Sequence, residues 1–178
     1  MKKRTFCLLL SISMLLSLLA PGAFAADPVA TLVIDGEASD YHADGSTTGA
    51  QALQNAWADA QGKTAELILH ESVDLADAGA LRMENAGSDI TLRLENGATL
   101  RSGSGNGAVI YIYNGSLTVA GGSVKNDMAG SNYYGVFLTG GSLTVSQDAA
   151  VSGGYYGIYN MGGTVTTAGA VSGDNAGI

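Results

Sequence analysis

"GSLTV" stands at residues 115–119 and recurs letter for letter at 141–145. "GTVTT" follows at 163–167 with the same order of small, apolar and hydroxyl residues. A short strand written three times, at steps of 26 and 22 residues, marks a stacked repeat rather than an ordinary mixed core. Carrying the reference apolar position back along the chain gives Leu67, Ile90, Leu117, Leu143 and Val165. Two residues on from each stand Leu69, Leu92, Val119, Val145 and Thr167. In a strand these i and i+2 positions share a face, so each pair can point into one interior.

Two further series keep the same order. One runs Leu75, Leu100, Val124, Val151, Val171. The other runs Leu81, Ile110, Val136, Ile158, Ile178, with Met83, Ile112, Leu138 and Asn160 two residues later. Asn96-Gly97, Gly121-Gly122, Gly153-Gly154 and Gly162-Gly163 separate them, the residue types that tight corners use. Three short strands per turn predict an all-β fold, a parallel β-helix (solenoid). An antiparallel sandwich has no reason to repeat one strand in register, and the Leu/Asn spacing of leucine-rich repeats is absent. In a stack each position meets its own equivalent one layer away, so duplicating a coil is the simplest way to lengthen it.

The ends divide the chain. Lys2, Lys3 and Arg4 precede an apolar run from Phe6 to Ala20, and Ala23-Phe24-Ala25 supplies a small–x–small cleavage site, so 1–25 reads as a signal peptide. Cys7, the chain's one cysteine, lies inside this leader, which leaves the exported chain without disulfide or thiolate metal site. Residues 26–62 form an entry unit with a strand over 29–34 and a capping α-helix over 49–61, with Ser46 or Thr47 as its N-cap. Ala50, Leu53, Trp57 and Ala60 fall on one stripe of that helix, which predicts a lid on the first coil with Trp57 as core. Residues 63–178 are the coils. Ile178 aligns with Ile158 and no polar cap follows it, so the native product is expected to continue, and the uncapped carboxy-terminal coil to self-associate.

Quoted whole, "DGEASDYHADGSTTGAQALQNAWADAQGKTAELILHE" (35–71), "GSLTVAGGSV" (115–124) and "GSLTVSQDAAVSGGYYGIYN" (141–160) resemble the entry and repeat regions of pectate-lyase-like β-helices in large exported bacterial surface proteins. The resemblance implies a right-handed coil and no particular activity. Enzymes of this fold act on acidic polysaccharides, but their Asn-Thr-Asp, Asp-Asp and His-Gly signatures do not occur here.

Loss of the leader leaves 5 basic against 16 acidic residues, a net charge near −11. That balance speaks against nucleic acid or an anionic membrane as partner of the exported chain. No cofactor and no metal site is expected, beyond a weak affinity for calcium. Asp40, His42 and Asp44 are the only close trio of metal-ligating types, in a loop, and His70 is expected to point outward beside Glu71. Lys125 and Arg101 fall on equivalent outward positions near Asp127, as an exposed ion pair or as a base, and no catalytic residue can be named.

The most specific surface feature is aromatic. Tyr111, Phe137 and Tyr159 lie outward between inward residues of the third series, in one column with Arg82 beneath. Tyr113 flanks the column, and Tyr133-Tyr134 and Tyr155-Tyr156 approach its edge. Thr118, Thr144 and Thr166 form a second, polar column. Exposed rings can stack on sugars, and stacked rings can equally support the solenoid itself. The expectation is a secreted, extracellular or cell-surface β-helix with an adhesive or glycan-contacting role. The alternatives are the amino-terminal part of a polysaccharide lyase or glycoside hydrolase with catalytic coils beyond Ile178, and a structural stalk without ligand.

Overall fold

The computed structural model describes residues 26–178 other than 77, 104 and 106; the leader expected at 1–25 lies outside the described residues. The chain opens with a hairpin, β1 (Ala30–Ile34) and β2 (Glu37–Tyr41), and then helix α1 (Gly49–Ala60). The coils follow, three strands to a turn. The first holds β3 (Thr64–Leu69), β4 (Val73–Asp74) and β5 (Leu81–Met83), and the second β6 (Asp89–Leu94), β7 (Thr99–Ser102) and β8 (Ala108–Ile112). The third holds β9 (Ser116–Ala120), β10 (Ser123–Asn126) and β11 (Tyr134–Leu138), and the fourth β12 (Ser142–Val145), β13 (Ala150–Gly153) and β14 (Tyr156–Asn160). β15 (Thr164–Thr167) and β16 (Ala170–Gly173) begin another turn.

Equivalent strands of successive turns pair in parallel and make three sheets, ordered β15-β12-β9-β6-β3-β1-β2, β16-β13-β10-β7-β4 and β14-β11-β8-β5. The chain is therefore a parallel β-solenoid, as the repeat predicts. The interior is lined by the predicted pairs. Leu67, Leu69, Leu92, Leu100, Ile110, Val119, Val136, Leu138 and Val145 are fully buried, each Leu or Ile contributing about 1.5–3 kcal/mol through apolar burial. Leu117, Leu143 and Val165 are layer partners, as are Val119, Val145 and Thr167.

Two registers of the first turn differ from the sequence reading by two residues. Leu67 pairs with Leu92, not Ile90, and Leu100 pairs with Val73, not Leu75. A slip of two keeps every inward residue inward, so the apolar pattern cannot distinguish the two registers. Leu75 is buried nonetheless.

The amino-terminal lid is larger than the helix expected there. The loop read after the first strand contains β2, joined to β1 through Asp35 (φ 52°) and Gly36 (φ 84°). Positive φ at both central residues is what a two-residue hairpin of type I′ demands, and Asp-Gly is a preferred pair for it. β1 then pairs antiparallel with β3, extending the first sheet beyond the first coil. Helix α1 packs beside it, burying Ala52, Leu53, Ala56, Trp57 and Ala60, and Trp57 Nε1 donates to the Arg82 carbonyl at 2.8 Å.

The helix N-cap is Thr48, whose Oγ1 accepts from the Gln51 N–H at 3.2 Å, in place of Ser46 or Thr47. Those two are already engaged by the Asp44 carboxylate, which accepts from both backbone N–H groups at 2.7 Å. These bonds, the Ser46 N–H first, hold the Asp44 carboxyl below its ordinary pKa.

At the far end, a bridge from Tyr156 to Ala176 and the Ile158 N–H to Gly177 carbonyl bond (2.8 Å) set Ile178 level with Ile158.

Candidate functional site: an aromatic face on the third sheet

Strand alternation sends Tyr111 outward from β8, Phe137 from β11 and Tyr159 from β14, and parallel register makes the three direct layer partners. Their ring centroids follow at 5.5 Å and again at 5.5 Å, close to the strand spacing. The expected column is present, and it is wider than expected. Tyr134 and Tyr156, read as lying at its edge, are layer partners of each other and belong to the face. The Tyr134 ring lies 5.7 Å from Phe137 and 4.9 Å from Tyr159, nearly parallel to the latter, while Tyr156 lies 5.4 Å from Tyr159. Burial among these rings, followed by the charge of neighbouring phenols if ionised, raises the Tyr134 pKa, so its hydroxyl stays neutral well above neutral pH.

Two adjacent inward residues accompany this widening, Gly135 and Val136 in β11 as Val109 and Ile110 in β8, and Tyr134 stands where β8 has Ala108. In β11 and β14 the order is Tyr-Gly-apolar-aromatic, and the glycine and the apolar residue are both buried. Two successive inward residues place Tyr134 and Phe137 on the same outer side although they are three apart. A side chain at Gly135 has no room, since a Cβ there would stand 2.6 Å from the Ser152 carbonyl oxygen and 2.7 Å from that of Gly157. Buried Asn126 braces the same corner by donating to the Tyr134 carbonyl at 3.2 Å. The signal was in the sequence as the doublets Tyr133-Tyr134-Gly135 and Tyr155-Tyr156-Gly157. A strict period of two conceals it.

Arg82 on β5 is the layer partner of Tyr111, as the alignment placed it. Its guanidinium carbon lies 4.8 Å from the centre of the Tyr111 ring, within cation–π range, and its Nη1 donates to the Tyr113 hydroxyl at 2.7 Å. Tyr113 stands parallel to Tyr111 at 6.1 Å.

The other outward ladders carry different chemistry. On the first sheet Thr118, Thr144 and Thr166 align as read, with Thr91 extending the row, and the Ser142 hydroxyl donates to that of Ser116 at 2.9 Å. On the second sheet Arg101 and Lys125 are neighbours in successive layers. Asp127 lies 2.7 Å from Lys125 Nζ and 3.6 Å from Arg101, and Asp74 lies 3.1 Å from Arg101. The four make a mutually neutralised surface cluster.

His70 bridges Thr31 Oγ1 (2.9 Å) and Glu95 Oε2 (3.1 Å), joining the hairpin to the second coil; the sequence reading had it only facing outward beside Glu71. Asp40 Oδ1 accepts from Thr31 and Asp44 Oδ1 from Ser46 and Thr47, so one oxygen of each acid in the trio with His42 is held by the fold. Among the described residues no three His, Cys, Asp or Glu side chains converge as a metal site would need.

No protein-family model, characterised protein or solved structure matches this chain, so the reading of its surface rests on its own geometry.

Proposed function

We propose that this chain is a secreted, cell-surface β-helix, of the pectate-lyase-like kind found in exported bacterial surface proteins, that contacts glycan through the aromatic face of its third sheet. The observation that carries the proposal is the in-register row Tyr111–Phe137–Tyr159, broadened by Tyr134 and Tyr156. Rings that present apolar surface with hydroxyls at their margins suit the mixed apolar and polar faces of a sugar. The leader-like first 25 residues, a cysteine-free remainder and an acidic balance support the extracellular assignment.

A second reading has its own support: the rings pack closely on one another, as Tyr134 does on Tyr159 at 4.9 Å, which stiffens a stalk without any ligand. We further propose that a second copy of the 178-residue chain pairs on the outermost strands β15 and β16, near which Ile178 is 58 % exposed.

The test is an array of immobilised neutral and acidic polysaccharides (β-1,4-glucan, mannan, xylan, polygalacturonate) probed with the chain and with its Tyr111→Ala, Phe137→Ala, Tyr159→Ala triple variant. Retention that is lost in the variant, with the circular dichroism spectrum preserved, is the expected result. Absence of retention on every polymer, or equal retention by both proteins, overturns the glycan reading and leaves the stalk.

A further inference from the structure

His70 follows the last residue of β3 and touches the amino-terminal hairpin twice. Its backbone N–H donates to the Val29 carbonyl at 3.1 Å, and its ring Nε2 lies 2.9 Å from Thr31 Oγ1 on β1. On the other side of the ring, Nδ1 lies 3.1 Å from Oε2 of Glu95, the residue after β6. β3 runs between β1 and β6 in the first sheet, so the ring ties the hairpin to the second coil across it.

Counting hydrogens along these contacts fixes the state of the ring. A threonine hydroxyl carries one hydrogen, and that of Thr31 goes to Asp40 Oδ1 at 2.6 Å, because a carboxylate only accepts. Thr31 Oγ1 must then receive its bond from His70 Nε2–H. The Glu95 carboxylate also accepts, so Nδ1 carries a hydrogen as well. Three bonds in series need three hydrogens, of which Thr31 supplies one and His70 two. Both ring nitrogens donate in the imidazolium alone. The same count rules out a nucleophile in the Thr31–His70–Glu95 spacing, since an activated hydroxyl gives its proton to the histidine and this one gives it to Asp40.

The charged groups around the ring are Asp40 on β2, Glu95 after β6, Glu71 next to His70 in the chain, and Arg93 on β6. Arg93 is itself engaged, with Nε 3.2 Å from Glu66 Oε1 on β3 and Nη2 3.6 Å from Glu95 Oε1. That leaves Glu95 Oε2 to the ring. The His70 and Glu95 side chains are 30 % and 34 % exposed, so solvent protons reach both.

We infer that His70 is a proton-dependent clasp that closes the amino-terminal hairpin onto the second coil. Loss of one ring proton opens it at a defined place. The Asp40–Thr31 and His70–Glu95 bonds each have a charged acceptor and are the stronger ones, so the Thr31–His70 link between them is the one that breaks. Two lone pairs then face each other across it. The clasp is closed in mild acid and is lost as pH rises through the range of about 5 to 8 in which histidines change charge.

Denaturant melts of the chain, Thr31→Val, His70→Ala and the double variant form a mutant cycle that tests this at pH 5.5 and 8.5. At pH 5.5 the two sites should be coupled by about 2- to 5-fold in the folding equilibrium, the range of an exposed charged contact, and at pH 8.5 the coupling should vanish. Amide exchange over β1 and β2 needs no change at either site. In His42→Gln, which removes the other histidine, protection corrected for intrinsic rates should fall by the same factor between the two pH values. No coupling at pH 5.5, equal coupling at both pH values, or protection that does not fall would each overturn the clasp.

Discussion

The third sheet and the second sheet carry outward ladders built on the same backbone rule, and they show what that rule tolerates. Parallel, in-register coils put each side chain beside its own equivalent. On the third sheet this sets ring against ring at 5.5 Å, which is favourable by about 0.5–1.5 kcal/mol per pair. On the second sheet it sets Arg101 against Lys125, which is unfavourable. The molecule answers with acids placed around the pair, Asp74 in the layer below and Asp127 just past β10, and the next two layers at that position are Ser152 and Ser172. A ladder of rings can be lengthened by simple duplication of a coil. A ladder of charges needs a counter-charge for each step, so it ends after two basic layers.

The comparison breaks hardest at Gly135. Gly135→Ala puts a methyl group within 2.6–2.7 Å of two carbonyl oxygens, and should destabilise the chain by about 1–3 kcal/mol through overpacking. Denaturant melts followed by fluorescence of Trp57, the chain's single tryptophan, give the number. A melt matching wild type would mean that the corner widening the aromatic face is not close-packed.

A smaller effect sharpens the other side. Asp127→Asn leaves Arg101 and Lys125 facing each other with only Asp74 nearby, at a cost of about 0.5–1 kcal/mol in dilute buffer. Concentrated salt should erase most of that difference, because these side chains are half exposed. Phe137→Ala should lose stability without salt dependence, and a salt-insensitive Asp127 variant would mean that charge does not limit the second-sheet ladder.

The smallest effect lies outside both ladders, in the hairpin that closes the first coil. Burial, then the hydrogen bond to Asp59 at 2.6 Å, raises the Tyr41 pKa to about 12. The unfolded chain releases this proton near the ordinary value of about 10, so the contribution is complete below that pH and is lost as pH rises towards about 12. Tyr41→Phe should flatten the decline of wild-type stability across that window while lowering stability by only about 0.5 kcal/mol at neutral pH, since the bond to Asp59 is exposed. Parallel alkaline declines in the two proteins would show that Tyr41 does not report on the lid.

Much of the molecule was legible before any coordinates. The inward pairs Leu117/Val119 and Leu143/Val145, the column Tyr111–Phe137–Tyr159, the threonine row and the burial of Leu53, Trp57 and Ala60 in α1 all follow from residue type and short periods, whereas Thr167 and Asn160, expected to face inward, are exposed. What escaped has a common cause. The Leu67–Leu92 register, the I′ hairpin and the inclusion of Tyr134 and Tyr156 each depend on how a corner is turned, and a corner is shorter than any period that could announce it.

The sequence by itself determined a stack of coils and which side chains face in, because burial repeats with the strand period and duplication preserves it. Only the tertiary structure decided which layer sits against which in the first turn, since a slip of two residues buries the same face. It alone also joined Arg82 to Trp57 of α1 and set His70 between Thr31 and Glu95. Those groups lie up to 39 residues apart in the chain. No local pattern connects them. The closing of one layer on the next, driven by the apolar interior, is what brings them within reach.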